Sequence, residues 1–396
     1  MNDHERRFPV PEILHTKYKD ALEVAYTHIN YAEPGTMVLI IGMSGSGKGT
    51  IAKKIKGRLL DANPEVSEWN RPIIEIVAKN AENSYYSSKD TASRLLNLLK
   101  DPFHSIDRQE VLAEVGIKAG PVSHRAVPEG TIRQQLHRLL LAKNVKYIIV
   151  DEADMMCVSK KSGRDEADHL ESWRVLALDS EAIVIFLAGF RMLRIWDRTS
   201  QFTRKMPTVH VDRYSLGSDE DIESFVSLLQ QMNEIHQVGE SESSRILKNA
   251  AALMTATGGI FGQLKALYER ADDRANAKGR ESLSLNDIVY ALPKKKQVKR
   301  LWEEIVTGEE ALGSVDLEDL TRMALRTREK ERAKEKKRSA ANTGHEMDTR
   351  EGKRPASKSL AESDSTQSGN DANLAKGRGK KKRRTKPSAR RIVRPS

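Results

Sequence analysis

The chain has one cysteine, Cys157, so no intrachain disulfide can staple it, and it fits a reducing compartment. It has no long apolar run. The longest, 182–190, falls far short of the roughly 20 residues a spanning helix needs. The first ten residues, MNDHERRFPV, carry no apolar stretch of the kind a secretory signal requires. A soluble, cytoplasmic protein is expected. Apolar residues make up only 38% of the 396 positions, low for a wholly packed chain, so part of it should lie outside any core. Acids are missing from one end: from Lys376 onward there are eleven Lys or Arg and no Asp or Glu, against a net charge of +11 for the whole chain. The basicity is therefore a tail property, and it suggests a polyanionic partner, nucleic acid first. Residues 339–396, rich in Ser, Lys, Gly, Asn and Asp, cannot bury enough apolar surface to offset chain entropy and are expected to be disordered. No internal repeat is visible.

What is present is an alternation of short apolar runs with helical patterns. Strands are expected at 36–41 (TMVLII), 72–78 (PIIEIVA), 146–150 (KYIIV), 182–188 (AIVIFLA) and 208–211 (TVHV). Ile132, Leu136, Leu139 and Leu140 fall on one face of a helix leading into the third strand. This pattern predicts a parallel sheet covered by helices on both faces. After 211 the strands stop, and Ser218 with Asp221 resembles a capping box opening a helical domain. The expected organisation is an N-terminal helical segment (1–35), an α/β core (36–213), a helical lid (214–293), two charged amphipathic helices (294–338) and the basic tail.

The strongest motif is Gly42-Met43-Ser44-Gly45-Ser46-Gly47-Lys48, placed after a strand and before a helix. Its glycines allow a tight turn whose N–H groups, with the helix N-terminus, cradle a β-phosphate, and Lys48 reaches the β- and γ-phosphates. ATP with Mg²⁺ is the expected ligand pair. Gly49 stands where a Ser or Thr hydroxyl usually meets the metal, so either Thr50 takes that role or a water does. The third strand ends in Asp151-Glu152-Ala153-Asp154. In phosphate-loop ATPases the first acid holds Mg²⁺ and the next orients the attacking water, which assigns Asp151 and Glu152. A water-activating Glu152 favours hydrolysis over the nucleotide-kinase chemistry that the GKGT ending invites. The fourth strand ends in Ala188-Gly189-Phe190, with no amide or hydroxyl to sense a γ-phosphate.

The order of these motifs resembles the TnsC/TniB family of AAA+ transposition ATPases, with MuB more distant. The matching segments are residues 7–11, IIGMSGSGKGTIAKKI, RQQLHRLLLAKNVKYIIVDEAD, IVIFLAG, QFTRKM and TGGIFGQLKALYERA. The resemblance covers roughly 7–292. It implies a five-stranded sheet in the order 5-1-4-3-2 and a helical lid. It also implies a prokaryotic protein that oligomerises on duplex DNA with ATP, receives its target from a separate DNA-reading protein, activates a transposase and is reset by hydrolysis. An arginine ahead of the fifth strand would reach the ATP of the next subunit: Arg204 first, Arg198 second. At the place of a second sensor the lid offers only Lys265. Loops after the second and third strands would face DNA, bringing Lys79, Lys89 and Arg94, and Lys160, Lys161 and Arg164, to phosphates. Three other readings stay open: a replication-type initiator or helicase loader, a small-molecule kinase that the GKGT ending favours and Glu152 and the basic tail oppose, and a nucleotide-binding protein that never hydrolyses ATP.

Overall fold

The computed structural model describes residues 13, 15–79, 85–100, 128–158, 166–196, 206–313 and 320–334. Five strands form one parallel sheet: β1 (Met37–Ile41), β2 (Ile73–Val77), β3 (Tyr147–Asp151), β4 (Ile183–Ala188) and β5 (Thr208–His210), in the order β2-β3-β4-β1-β5. That is the expected order read from the other edge. The pleat explains why β1 and β4 are apolar throughout. Met37, Leu39 and Ile41, with Val184, Phe186 and Ala188, enter one buried cluster; Val38 and Ile40, with Ile183, Ile185 and Leu187, enter the other. Helices α1 (Thr16–Asn30) and α2 (Lys48–Asp61) cover one face, and α3 (Ser88–Leu98), α4 (Glu129–Ala142), α5 (Glu166–Ser180) and the short α6 (Leu193–Trp196) cover the other. Trp173 and Tyr86 close that second face, with the indole N–H donating to the Tyr86 hydroxyl at 2.9 Å.

Past β5, helices α7 (Asp219–Ile235), α8 (Glu240–Lys248), α9 (Ala250–Thr257), α10 (Phe261–Ala277) and α11 (Leu285–Ala291) pack around Tyr214, Phe225, Leu264, Tyr268 and Ile288. The cap at the start of α7 is half of a box. Ser218 accepts from the Asp221 N–H at 3.3 Å, but the Asp221 carboxylate accepts from the N–H of Ser215 and pairs with Lys17 at 2.8 Å. The full capping box is at Ser284 and Asp287, opening α11. The segment entering the lid is pinned by Gly259, at φ +69°, whose carbonyl accepts from Tyr214 N–H at 3.0 Å. A Cβ at Gly259 would fall on the Tyr214 carbonyl, so only glycine fits.

Helix α12 (Lys295–Leu312) was expected only as a charged amphipathic helix. Its Ile305 and Gly308 are buried, and Leu301, Trp302 and Leu312 pack on the main core. Residues 1–314 form one compact unit. The second, 315–396, contains a helix over 320–334 whose described residues are all exposed, Leu320, Met323 and Leu325 among them. Among the described residues no helix is long and apolar enough to cross a membrane.

Candidate functional site

The C-terminal ends of β1, β3 and β4 open into a cleft of about 940 Å³. In open parallel sheets this is where ligands bind. The phosphate loop enters it because β1 stops at Gly42 and α2 starts at Lys48, with Gly45 at φ +85° and Gly47 at φ +100°. Gly47 is the N-cap, has no side-chain cap and no acid follows in the first turn, so the helix's positive end faces the cleft unneutralised. Ser44, Gly45, Gly47, Lys48, Gly49 and Thr50 line the cleft. Gly42 and Ser46 do not: Ser46 is buried, and a Cβ on Gly42 would stand 2.8 Å from its Oγ. These two shape the loop from behind. The Lys48 ammonium donates to the carbonyls of Gly42 and Met43, both at 2.7 Å. Burial pulls its pKa down to about 8, against the upward pull of Asp154, Asp151 and Glu304.

Across from the loop, Asp151, Glu152 and Asp154 line the cleft. Glu152 has left-handed backbone, φ +52°, and its N–H donates to Asp151 Oδ1 at 2.7 Å. A non-glycine residue in this region costs of order 1 kcal/mol or more and persists where the surroundings impose it, as at ligand sites. The tip of β4, which offers no polar side chain, is tied to the acids through its backbone: Gly189 N–H donates to Asp154 Oδ1 at 3.2 Å. The sequence pattern alone assigns Asp154 no role. The lid closes the third side. Gly262 N–H donates to the Gly45 carbonyl at 3.0 Å, and Phe261 and Lys265 line the cleft.

The donor set fits a magnesium nucleotide. Thr50 and Asp151 lie on the same cleft as Lys48, and a Cβ on Gly49 would meet nothing within 4 Å, so the position after the lysine is open. The residues the sequence did not single out include Lys53 on α2 itself and, from distant elements, His15 and Tyr18 at the start of α1, Arg191 and, from α12, Glu304. Tyr18 lies beneath the loop, 3.4 Å from where a Gly47 Cβ would stand. Cys157 is buried, donates to the Arg191 carbonyl at 3.3 Å and has its thiol pKa pushed up to about 12 by burial, which makes it a poor nucleophile. Among the described residues no cluster of three His, Cys, Asp or Glu forms a separate metal site.

Of the residues expected at DNA, Lys79 is exposed and Lys89 half-buried. Arg94 is committed within the fold. It donates to the Val77 carbonyl at 3.0 Å and pairs with Asp90 at 3.2 Å, fastening α3 to the end of β2. Arg198, Arg204, Lys160, Lys161 and Arg164 lie outside the described residues. So does all of 339–396, the expected basic tail.

Residues 32–195 match a family model described as an AAA domain. The chain is 32% identical over 165 residues to the energy-coupling factor transporter ATP-binding protein EcfA1 of Lactobacillus gasseri. That match takes in 37% of this chain and spans 58% of the relative's length. Among solved structures, the ORC2 protein of Aeropyrum pernix aligns with a TM-score of 0.46 at 19% identity, covering 72% of this chain and 69% of that one. Domain III of the Thermotoga maritima replication initiation protein DnaA aligns with a TM-score of 0.40 at 14% identity, covering 71% and 93%. The chain carries an AAA domain, and its α/β sheet and helices have the AAA+ phosphate-loop fold.

Proposed function

We propose that this chain is an ATP-hydrolysing AAA+ protein that assembles on duplex DNA in its ATP-bound form and regulates DNA transposition by recruiting and activating a transposase. The observation that carries the ATPase part is the convergence of Lys48 and the capless N-terminus of α2 with Asp151 and the strained Glu152 on one cleft. Lys48 and the first-turn N–H groups bind and orient the phosphates. Asp151 and Thr50 would hold Mg²⁺, which supplies charge neutralisation on the β- and γ-oxygens. Glu152 orients a water and accepts its proton at the carboxylate. Asp154 holds the β4 tip through Gly189.

The transposition part rests on the resemblance to the TnsC/TniB family, and the DNA part also on the run of basic residues after Lys376. Lys79 and Lys89, with Lys160, Lys161 and Arg164, are the proposed phosphate contacts; Arg94 contributes through position. Partners are duplex DNA, further copies of the chain, transposase subunits and a target-selection protein. The place of action is the prokaryotic cytoplasm, at the nucleoid when DNA-bound.

The test is binding to random-sequence duplex DNA with an ATP analogue, ADP or no nucleotide, for the full chain and for a version ending near residue 338. Cooperative binding only with the analogue, surviving loss of the tail, is expected. Binding that ignores nucleotide and vanishes with the tail would reduce the DNA signal to charge and sink the proposal.

A further inference from the structure

Helix α12 touches three parts beside the cleft: the end of α9, the segment just past β5, and the tip of β4. On the lid side, Ile305 is fully buried against Gly258, where a Cβ would stand 2.7 Å from its Cδ1. The Trp302 indole N–H donates to the Thr255 carbonyl at 2.9 Å, in the last turn of α9. Between core and lid, just past β5, Arg213 grips Glu309 with two hydrogen bonds of 2.7 and 2.9 Å, and its guanidinium lies 4.9 Å from the centre of the Trp302 ring. At the β4 tip, Gly308 lies flat against the Phe190 ring, and any side chain there would enter the ring. Phe190 follows Gly189, which is bonded to Asp154. The same helix puts Glu304 on the cleft with Lys48, and the Glu304 charge acts on that lysine.

A carboxylate at the phosphate end of an ATP site is costly for the ligand. Lys48 already faces Asp151 and Asp154, and a γ-phosphate adds more negative charge than ADP does. Glu304 is exposed at the rim of the cleft, so water screens it, yet like charges at contact distance still interact strongly enough in water to change affinity several-fold. A ligand shifts an equilibrium only by its differential affinity for the two states, and the coupling is reciprocal.

We infer that α12 is a nucleotide-responsive strap: docked, it holds Glu304 in the cleft and disfavours a triphosphate relative to a diphosphate, and ATP binding loosens it in return. This rests on the cleft being an ATP site. It gives the phosphate site a reader outside the known motifs, acting through the last helix of the first unit.

The test uses the full chain with Mg²⁺, a non-hydrolysable ATP analogue and ADP. Glu304→Gln keeps the shape of the side chain and removes its charge. It should tighten the analogue by about fivefold or more, the lower end of ordinary coupling between sites, and ADP by less than about twofold. Glu309→Gln breaks the grip of Arg213 without touching the cleft and should also tighten the analogue. In the wild type, amide hydrogen exchange over 295–312 should be faster with the analogue than with ADP or no nucleotide, and in Glu304→Gln that difference should shrink. An unchanged analogue-to-ADP ratio in both variants, or equal protection of 295–312 in all three states, would overturn the strap while leaving a nucleotide-binding wild type intact. If the wild type binds neither nucleotide, the ATP-site reading falls and the strap falls with it.

Discussion

Lys48 has a charge that a phosphate ligand would change. Burial lowers its pKa to about 8. A bound phosphate favours the ammonium form and raises that value again. Below about pH 7 the lysine is protonated before and after binding, and no proton moves. Above about pH 8 the free protein has lost the proton, so binding takes one up and nucleotide affinity falls as pH rises. Calorimetric titration at pH 8.5 in two buffers of different ionisation heat should give different binding enthalpies, and at pH 6.5 the same one; equal enthalpies at both would show that Lys48 keeps its charge throughout. Lys48→Ala should weaken ATP binding by about 100-fold or more, ~2.7 kcal/mol, since it removes the point charge on the β- and γ-phosphates. Lys48, Asp151 and Glu152 were legible in the sequence because each sits at a fixed offset from the end of an apolar strand. Asp154, Glu304 and Tyr18 were not. Their roles depend on partners far along the chain: Asp154 on Gly189, Glu304 on Lys48, Tyr18 on Gly47.

Among the elements, the strands were readable to within one residue at either end, because each apolar run is bounded by Pro, Gly or a charged residue. The placement of α12 was not readable: its core contacts are a sparse stripe, Leu301, Ile305, Gly308 and Leu312, among charged neighbours. The start of α1 makes a contact of the same hidden kind. His15 caps the helix by accepting from Tyr18 N–H at 3.4 Å, lies 3.0 Å from the Tyr214 hydroxyl and stacks near Phe261 of the lid. Burial lowers its pKa to about 4. The folded value lies below the unfolded one, so the unfolded chain binds the proton first, and stability is lost as pH falls from about 6.5 to 4, by at most about 3 kcal/mol. His15→Asn keeps a cap acceptor and removes the titration, so its urea midpoint should fall less steeply over that window than the wild type's. Gly259→Ala should cost about 3 kcal/mol or more, since it forces a methyl onto the Tyr214 carbonyl at positive φ; a variant within 1 kcal/mol of wild type would mean the lid entry can shift.

At the scale of the molecule, the proposed assembly makes a prediction that a lone subunit cannot satisfy. Among the described residues Arg191 is the arginine that lines the cleft, while Arg198 and Arg204 belong to the segment joining α6 to β5, the edge strand of the sheet. If Arg204 completes the site of a neighbouring subunit, hydrolysis per chain should rise with protein concentration and with DNA. Arg204→Ala should then keep ATP binding and lose hydrolysis by about 10³-fold. Glu152→Gln should likewise bind ATP, fail to hydrolyse it and stay on DNA. The two inactive variants differ in what they lack: one has an intact water-orienting acid and no arginine to lend, the other the reverse. Mixed, they form interfaces at which an Arg204-bearing neighbour faces an intact Glu152, and a fraction of wild-type activity returns. If Arg204 acts on its own subunit's site, no interface in the mixture is complete and the rate stays at the level of the separate variants. Arg198→Ala in the same mixing experiment identifies which of the two arginines crosses the interface.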